Sequence, residues 1–170
     1  MDAVPLRRIV VGVNGSAASH AALRWAAGEA GLRRAALLVV HVWDCTRRQL
    51  APYATIASRP SPGEERIAAR ARLARAVRTA LGPVIPAGVT TELAEGLVAR
   101  VLIDRAVDAD LLVLGATAPS AASTLPIAGP VARACVSRAA CPVVIVSAPA
   151  VTDGADTAEP AADELDVTRM

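Results

Sequence analysis

The chain has 170 residues, enough for one domain with a substantial core, and its 54% hydrophobic content excludes a disordered polymer. All 18 basic residues are Arg, so a Walker A lysine and Schiff-base chemistry are both excluded, and the net charge of +2 is too small to argue for nucleic acid or a membrane surface. No apolar run approaches the roughly 18–20 residues of a membrane span. The run Ile9 to Val13 is too short for a signal-peptide core, so a cytoplasmic chain is expected.

Arg8 to Val13 is β-branched and apolar on both faces, bounded by Pro5 and by Asn14-Gly15-Ser16. Such a run predicts a strand covered on both sides, and hence a parallel sheet. Ser16 has the chemistry of an N-cap. Ala22, Leu23, Ala26 and Ala30 then recur at helical spacing, with Gly31 as the expected stop. Ala36 to Val42 predicts a second strand. Asp44 to Gly63 carries Pro52, Pro60, Pro62 and Gly63 among polar residues and reads as a mobile loop. Glu64 to Leu81 reads as a helix with Ile67, Ala71, Ala74, Val77 and Leu81 inward. Arg66, Arg70, Arg72, Arg75 and Arg78 surround the rest of it as a solvated face. No aromatic residues interleave them to stack bases, so no nucleic-acid partner is expected.

Val89 to Ala94 alternates, with Val89, Thr91 and Leu93 on one side, and predicts a third strand. Leu97 to Val107 is a helix with Val98, Val101, Leu102 and Ala106 inward. Asp110 to Leu114 is a fourth strand ending at Gly115. Ala116 to Ala128 is a loop of small and hydroxyl residues. Gly129-Pro130 opens a helix to about Ala139, with Pro where its missing N–H is not needed. Pro142 to Val146 is a fifth strand. From Pro149 onward, Asp153, Asp156, Glu159, Asp163, Glu164 and Asp166 stand among Ala, Pro and Thr. The expected organisation is therefore one domain over 1–148 and a disordered acidic tail over 149–170.

Cys45, Cys135 and Cys141 show no Cys-x-x-Cys spacing and fit reduced, mostly buried thiols. His20 and His41 lie far apart and suggest no metal site. Strands alternating with helices predict an α/β fold with a doubly wound parallel sheet and right-handed crossovers. If the order is 3-2-1-4-5, ligands belong at the carboxyl ends of strands one and four. The loops there begin Asn14-Gly15-Ser16 and Gly115, where backbone is free to approach a ligand. Taken alone, the glycines signal tight turns equally well.

Several segments together resemble the universal stress protein family. Ile9 to Ser16, followed by Ser19, Ala22-Leu23 and Trp25-Ala26, is similar to that family's first strand and helix. Leu37 to Val42 resembles the second strand, Ala109 to Gly115 the fourth, and Gly129 to Val146 the closing helix and strand. The resemblance covers about residues 6 to 147. It implies a five-stranded parallel sheet in the order 3-2-1-4-5 and a homodimer. It also implies an adenine-nucleotide pocket in those members that bind ATP. They carry an Asp at the end of strand one, and a loop reading Gly, two residues, Gly, nine residues, then Gly and Ser or Thr.

This sequence departs from that pattern at several points. Asn14 stands at the Asp position, Gly115 matches the first glycine, and Ala118 replaces the second. Ten residues separate Ala118 from Gly129, and Pro130 occupies the hydroxyl position. Asn14 loses the charge that strengthens a bond to a ribose hydroxyl or positions a metal. Ala118 adds a Cβ where backbone approaches phosphate. Pro130 deletes a hydroxyl and an N–H at a helix start, where phosphates are held. Defects of roughly 1 kcal/mol or more each weaken binding by several decades in sum. Ser120, Ser123 and Thr124 offer substitute hydroxyls, and the adenine slot would use the backbone of Val42.

The expected function is a homodimeric regulatory or stress-response protein with a degraded ATP pocket. It requires no cofactor, binds ATP weakly, has an unidentified protein partner and does not associate with membranes. The alternative is a working ATP sensor. An ATP-pyrophosphatase or nucleotidyltransferase of this fold would need Ser-Gly-Gly-x-Asp-Ser or His-x-Gly-His, and neither is present. No Gly-x-Ser-x-Gly elbow is present either, so at most weak ATPase activity is expected. The expected dimer contact is the uncharged final strand, Pro142, Val143, Val144, Ile145 and Val146. As a sheet edge it invites antiparallel pairing with a second copy.

Overall fold

The computed structural model describes residues 7–43, 61–116 and 128–148. Nine elements alternate along them: β1 (Arg8–Gly12), α1 (Ala17–Arg33), β2 (Ala36–Trp43), α2 (Pro62–Leu81), β3 (Val89–Glu95), α3 (Val98–Arg105), β4 (Leu111–Gly115), α4 (Pro130–Arg138) and β5 (Val143–Val146). The strands form one sheet in the order β3-β2-β1-β4-β5, and every pairing is parallel. Val10 sits between Leu38 of β2 and Leu112 of β4, which sets β1 at the centre.

The continuous apolar runs follow from this placement, because a central parallel strand is covered on both faces. On one face Ile9, Val11, Leu37, Val39 and Val113 pack against Leu23 and Ala26 of α1 and Leu73 and Val77 of α2. On the other, Val10, Leu38, Val40, Leu112 and Leu114 meet Leu102 of α3 and Ala132 and Cys135 of α4. At the amino end of the sheet, the Arg8 N–H donates to Asp110 Oδ2 and the Asp110 N–H to the Arg8 carbonyl, both at 2.8 Å. This pair aligns the entry of β4 with β1.

Three expectations are corrected. Gly31 does not stop α1. The helix runs to Arg33 and ends with Arg34 in the left-handed region at φ 52°. The Glu29–Arg33 ion pair at 2.7 Å supports that last turn. Pro62 and Gly63 belong to a helix rather than a loop. Ser61 caps α2 through a reciprocal box, with its Oγ accepting from the Glu64 N–H at 3.2 Å and its N–H donating to Glu64 Oε2 at 2.5 Å. The inward stripe of α2 is also turned. Ala69, Leu73, Ala76 and Val77 are buried, whereas Ile67 is 71% exposed and Ala71 is exposed. Packing against α1, β2 and β3 selects that face. The five expected solvated arginines, Arg66 to Arg78, are all exposed. Of the expected loops Asp44 to Gly63 and Ala116 to Ala128, residues 44–60 and 117–127 lie outside the described residues, as does the expected tail from 149.

Candidate functional site

The carboxyl end of the sheet is shaped first by the turn after β1. The Val13 N–H extends the ladder to the Val40 carbonyl at 2.9 Å. Gly15 then adopts φ +86°, a conformation that disfavours any side chain. Asn14 Oδ1 accepts the Ser16 N–H at 3.0 Å, closing an Asx turn. The amide oxygen expected to face a ligand is therefore already engaged in holding the loop. Ser16 Oγ caps α1 by accepting from the Ser19 N–H at 3.1 Å, and buried Ser19 returns its hydroxyl to the Ser16 carbonyl at 2.8 Å.

Gly115 closes β4 against this same turn. A Cβ there would lie 2.7 Å from both the Ala18 carbonyl carbon and the Ser19 backbone nitrogen. Glycine is thus required by the crossing of α1 over the strand end, independently of any phosphate. At α4, Gly129 takes the N-cap position with no side-chain cap, and Pro130 stands in the first turn. Pro130 has no N–H to offer.

At this end of the sheet lies a cleft of about 810 Å³ over the end of β2. His41, Val42 and Trp43 form its floor. Glu64, Glu65, Ala68, Ala69 and Arg72 of α2 form one wall. Leu97, Val98 and Ala99 line it at the start of α3, and Pro130 and Val131 at the start of α4. His41 is buried, and its Nδ1 lies 2.8 Å from the Val13 carbonyl oxygen. A carbonyl can only accept, so Nδ1 carries the proton and Nε2 is left as an acceptor in the neutral ring. This bond ties the β1 loop to the cleft floor. A smaller hollow of about 330 Å³ lies at the opposite end of the sheet beside Arg7, Arg33 and Asp110. Two of its polar groups are engaged in structure, since Glu29 holds Arg33 and Asp110 accepts from the Arg8 N–H.

Of the residues expected to form the site, Val42 and Pro130 line the cleft. Asn14, Gly15, Ser16, Gly115 and Gly129 are at the same end of the sheet but outside its lining. Ala118 lies outside the described residues. Sequence reasoning missed His41, Trp43, Leu97 and the whole α2 wall. The Ser61-x-x-Glu64 pattern was the available signal that a helix begins beside the site.

β5 is an edge strand, with Val144 and Val146 packed toward α1 and Val143 and Ile145 toward the other core layer. The carbonyls of Pro142 and Val146 accept from Leu112 and Ala116 of the β4 segment at 3.0 and 2.8 Å. By alternation, the N–H and C=O groups of Val143 and Ile145 face away from β4. Buried Cys135 and half-buried Cys141 have thiols that burial pushes above the usual range. Among the described residues, no helix is long and apolar enough to cross a membrane.

A parallel sheet in this order, with a cleft at the carboxyl ends of its strands, defines a doubly wound α/β protein. Comparison with known proteins gives the narrower class. The universal stress protein family model matches residues 5–147, and the chain belongs to that family. A universal stress protein of Mycolicibacterium smegmatis is 35% identical over 115 residues, which is 63% of this chain and 37% of the relative. The chain thus spans little more than a third of that relative's length. A solved universal stress protein from Archaeoglobus fulgidus is 28% identical with a TM-score of 0.60, covering 82% of this chain and 98% of its own. A universal stress protein from the same organism, solved in complex with dAMP, is 25% identical with a TM-score of 0.55, covering 84% and 99%.

Proposed function

We propose that this chain is a homodimeric, cytoplasmic, regulatory universal stress protein whose adenine-nucleotide pocket has lost most of its grip on ATP. The observation that carries the reading is Pro130 at the start of α4. It removes an N–H and a hydroxyl from the helix terminus that borders the cleft. Asn14 adds to it, since its amide keeps an acceptor but lacks the charge that strengthens a bond to a ribose hydroxyl or positions a metal. Adenine binding against the Val42 backbone needs neither feature, and the dAMP complex of the 25%-identical relative supports keeping an adenine ligand. That complex is also what favours the alternative, a working nucleotide sensor. No residue is assigned a catalytic role, and ATP turnover at most weak is expected. The dimer is proposed through β5, whose outward Val143 and Ile145 backbone groups suit an isologous strand pairing. An unidentified protein partner is part of the same reading.

Mass spectrometry of small molecules released from the purified chain tests the reading. No stoichiometric ATP is expected. ATP recovered at one equivalent per chain contradicts the reading and favours the sensor.

A further inference from the structure

We propose that the acidic segment 149–170 of this chain docks on the arginine-bearing outer face of α2. Residues 1–148 hold 17 arginines against 10 acidic residues, whereas 149–170 hold six acidic residues against Arg169 alone. The small net charge of the whole chain is thus the sum of a basic domain and an acidic segment, a division that marks interaction tails.

Among the described residues the basic charge is densest on α2. Arg66, Arg70, Arg72, Arg75 and Arg78 are all exposed, and none forms an ion pair with another described residue. Elsewhere Arg33 is taken by Glu29 and Arg105 by Glu92, and α4 carries only Arg133 and Arg138. Residues three or four apart on a helix stand side by side. Arg66 and Arg70, Arg72 and Arg75, and Arg75 and Arg78 therefore repel one another, and an acidic cover relieves that repulsion. Ile67, 71% exposed, and exposed Ala71 lie one turn apart among these arginines and form a short apolar strip. This face suits several carboxylates interspersed with a few apolar side chains. Asp163, Glu164 and Asp166 around Leu165 and Val167 supply that combination.

The segment is long enough to reach. The described chain ends at residue 148, just beyond β5. α2 packs on β2 and β3, and three strand spacings of about 4.8 Å separate β2 from β5. Asp163 lies 15 residues past Ala148, a reach of up to about 50 Å when extended. Exposed ion pairs are weak singly, but tethering makes their encounter intramolecular and lets several act together. Because salt screens them, docking should weaken as ionic strength rises.

Nitrogen-15 NMR of the full chain tests this, against the full-length variant Asp153→Asn/Asp156→Asn/Glu159→Gln/Asp163→Asn/Glu164→Gln/Asp166→Asn. At low salt the amide signals of residues 66–78 are expected to differ between the two chains, and high salt should move the wild-type signals toward those of the variant. In Arg66→Gln/Arg70→Gln/Arg75→Gln/Arg78→Gln, where exposed Gln keeps good helix propensity, neutralising the six carboxylates should no longer shift α2. Identical α2 signals in the wild type and the six-residue variant overturn the proposal. So do differences centred on α4 instead, which would place the segment against Arg133 and Arg138. Differences on α2 that fade on dilution also overturn it, since they would mean that the segment of a separate molecule covers the face.

Discussion

Replacing Gly115 by alanine separates the structural role of this glycine from any role in binding. The new Cβ would meet the Ala18 carbonyl carbon and the Ser19 nitrogen at 2.7 Å and the Ala18 oxygen at 2.9 Å. Carbon contacts relax at about 3.5–4.0 Å, so α1 and β4 must separate by close to 1 Å. The obstacle is backbone in the first turn of a helix, which cannot rotate away as a side chain can. Overpacking of this kind costs about 1–3 kcal/mol. The lower entropy of the unfolded Ala chain returns about 0.4–1 kcal/mol. A net loss of about 1–2 kcal/mol is expected, and with a urea m-value of about 2 kcal/mol/M the midpoint falls by about 0.5–1 M. Gly12→Ala is the control. The three atoms nearest its Cβ are methyl carbons of Leu114 and Leu102, at 2.9–3.2 Å, and those side chains can shift. Urea denaturation followed by far-UV circular dichroism measures both. A Gly115→Ala midpoint equal to wild type refutes the argument that packing requires this glycine.

Ser61→Ala removes one half of the α2 capping box and is expected to cost about 1 kcal/mol in the same assay. Glu92 is held below the ordinary carboxylate range by the hydrogen bond from Arg105, with which it pairs at 2.7 Å. A lowered carboxylate stabilises at neutral pH and loses that contribution as pH falls through its folded value. Glu92→Gln, on a half-exposed pair, should therefore cost less than about 1 kcal/mol near pH 7. Its deficit should shrink as pH falls below the ordinary carboxylate range and vanish only below the lowered folded value, as melting curves across pH would show. Val144→Lys and Ile145→Lys are expected to dissociate the dimer in light scattering, with circular dichroism checking the fold, since each side chain also packs on a core layer. A wild-type monomer at micromolar concentration, or a dimer that survives both substitutions, places the interface elsewhere.

The sheet was legible because burial on both faces leaves a distinctive record. Ile9-Val10-Val11 and Leu111 to Leu114 admit only apolar residues, since the strands beside and the helices above and below leave no solvated side. The inward face of α2 was not legible. Alanines and arginines occur all around that helix, so periodicity could not single out a stripe. Ile67 drew the expected stripe toward itself, although tertiary packing left it in solvent. Gly31 misled for a related reason. A glycine that can end a helix does not end it where the chain must still travel to reach β2. At the site, Val42 and Pro130 were found because they end and begin elements whose place in a doubly wound sheet is set by topology. Glu64, Glu65 and Arg72 were not, because only the folding of α2 across the end of β2 brings them there. His41 reads in sequence as an ordinary strand residue, and its bond to Val13 spans 28 positions.

The central proposal is that the cleft of this chain holds ATP poorly. Calorimetric titration of the full chain with ATP measures this directly, alongside Asn14→Asp/Ala118→Gly/Pro130→Ser. A wild-type dissociation constant weaker than tens of micromolar is expected, the range above about −7 kcal/mol, with tighter binding by the triple variant. Submicromolar affinity of the unmodified chain would contradict it.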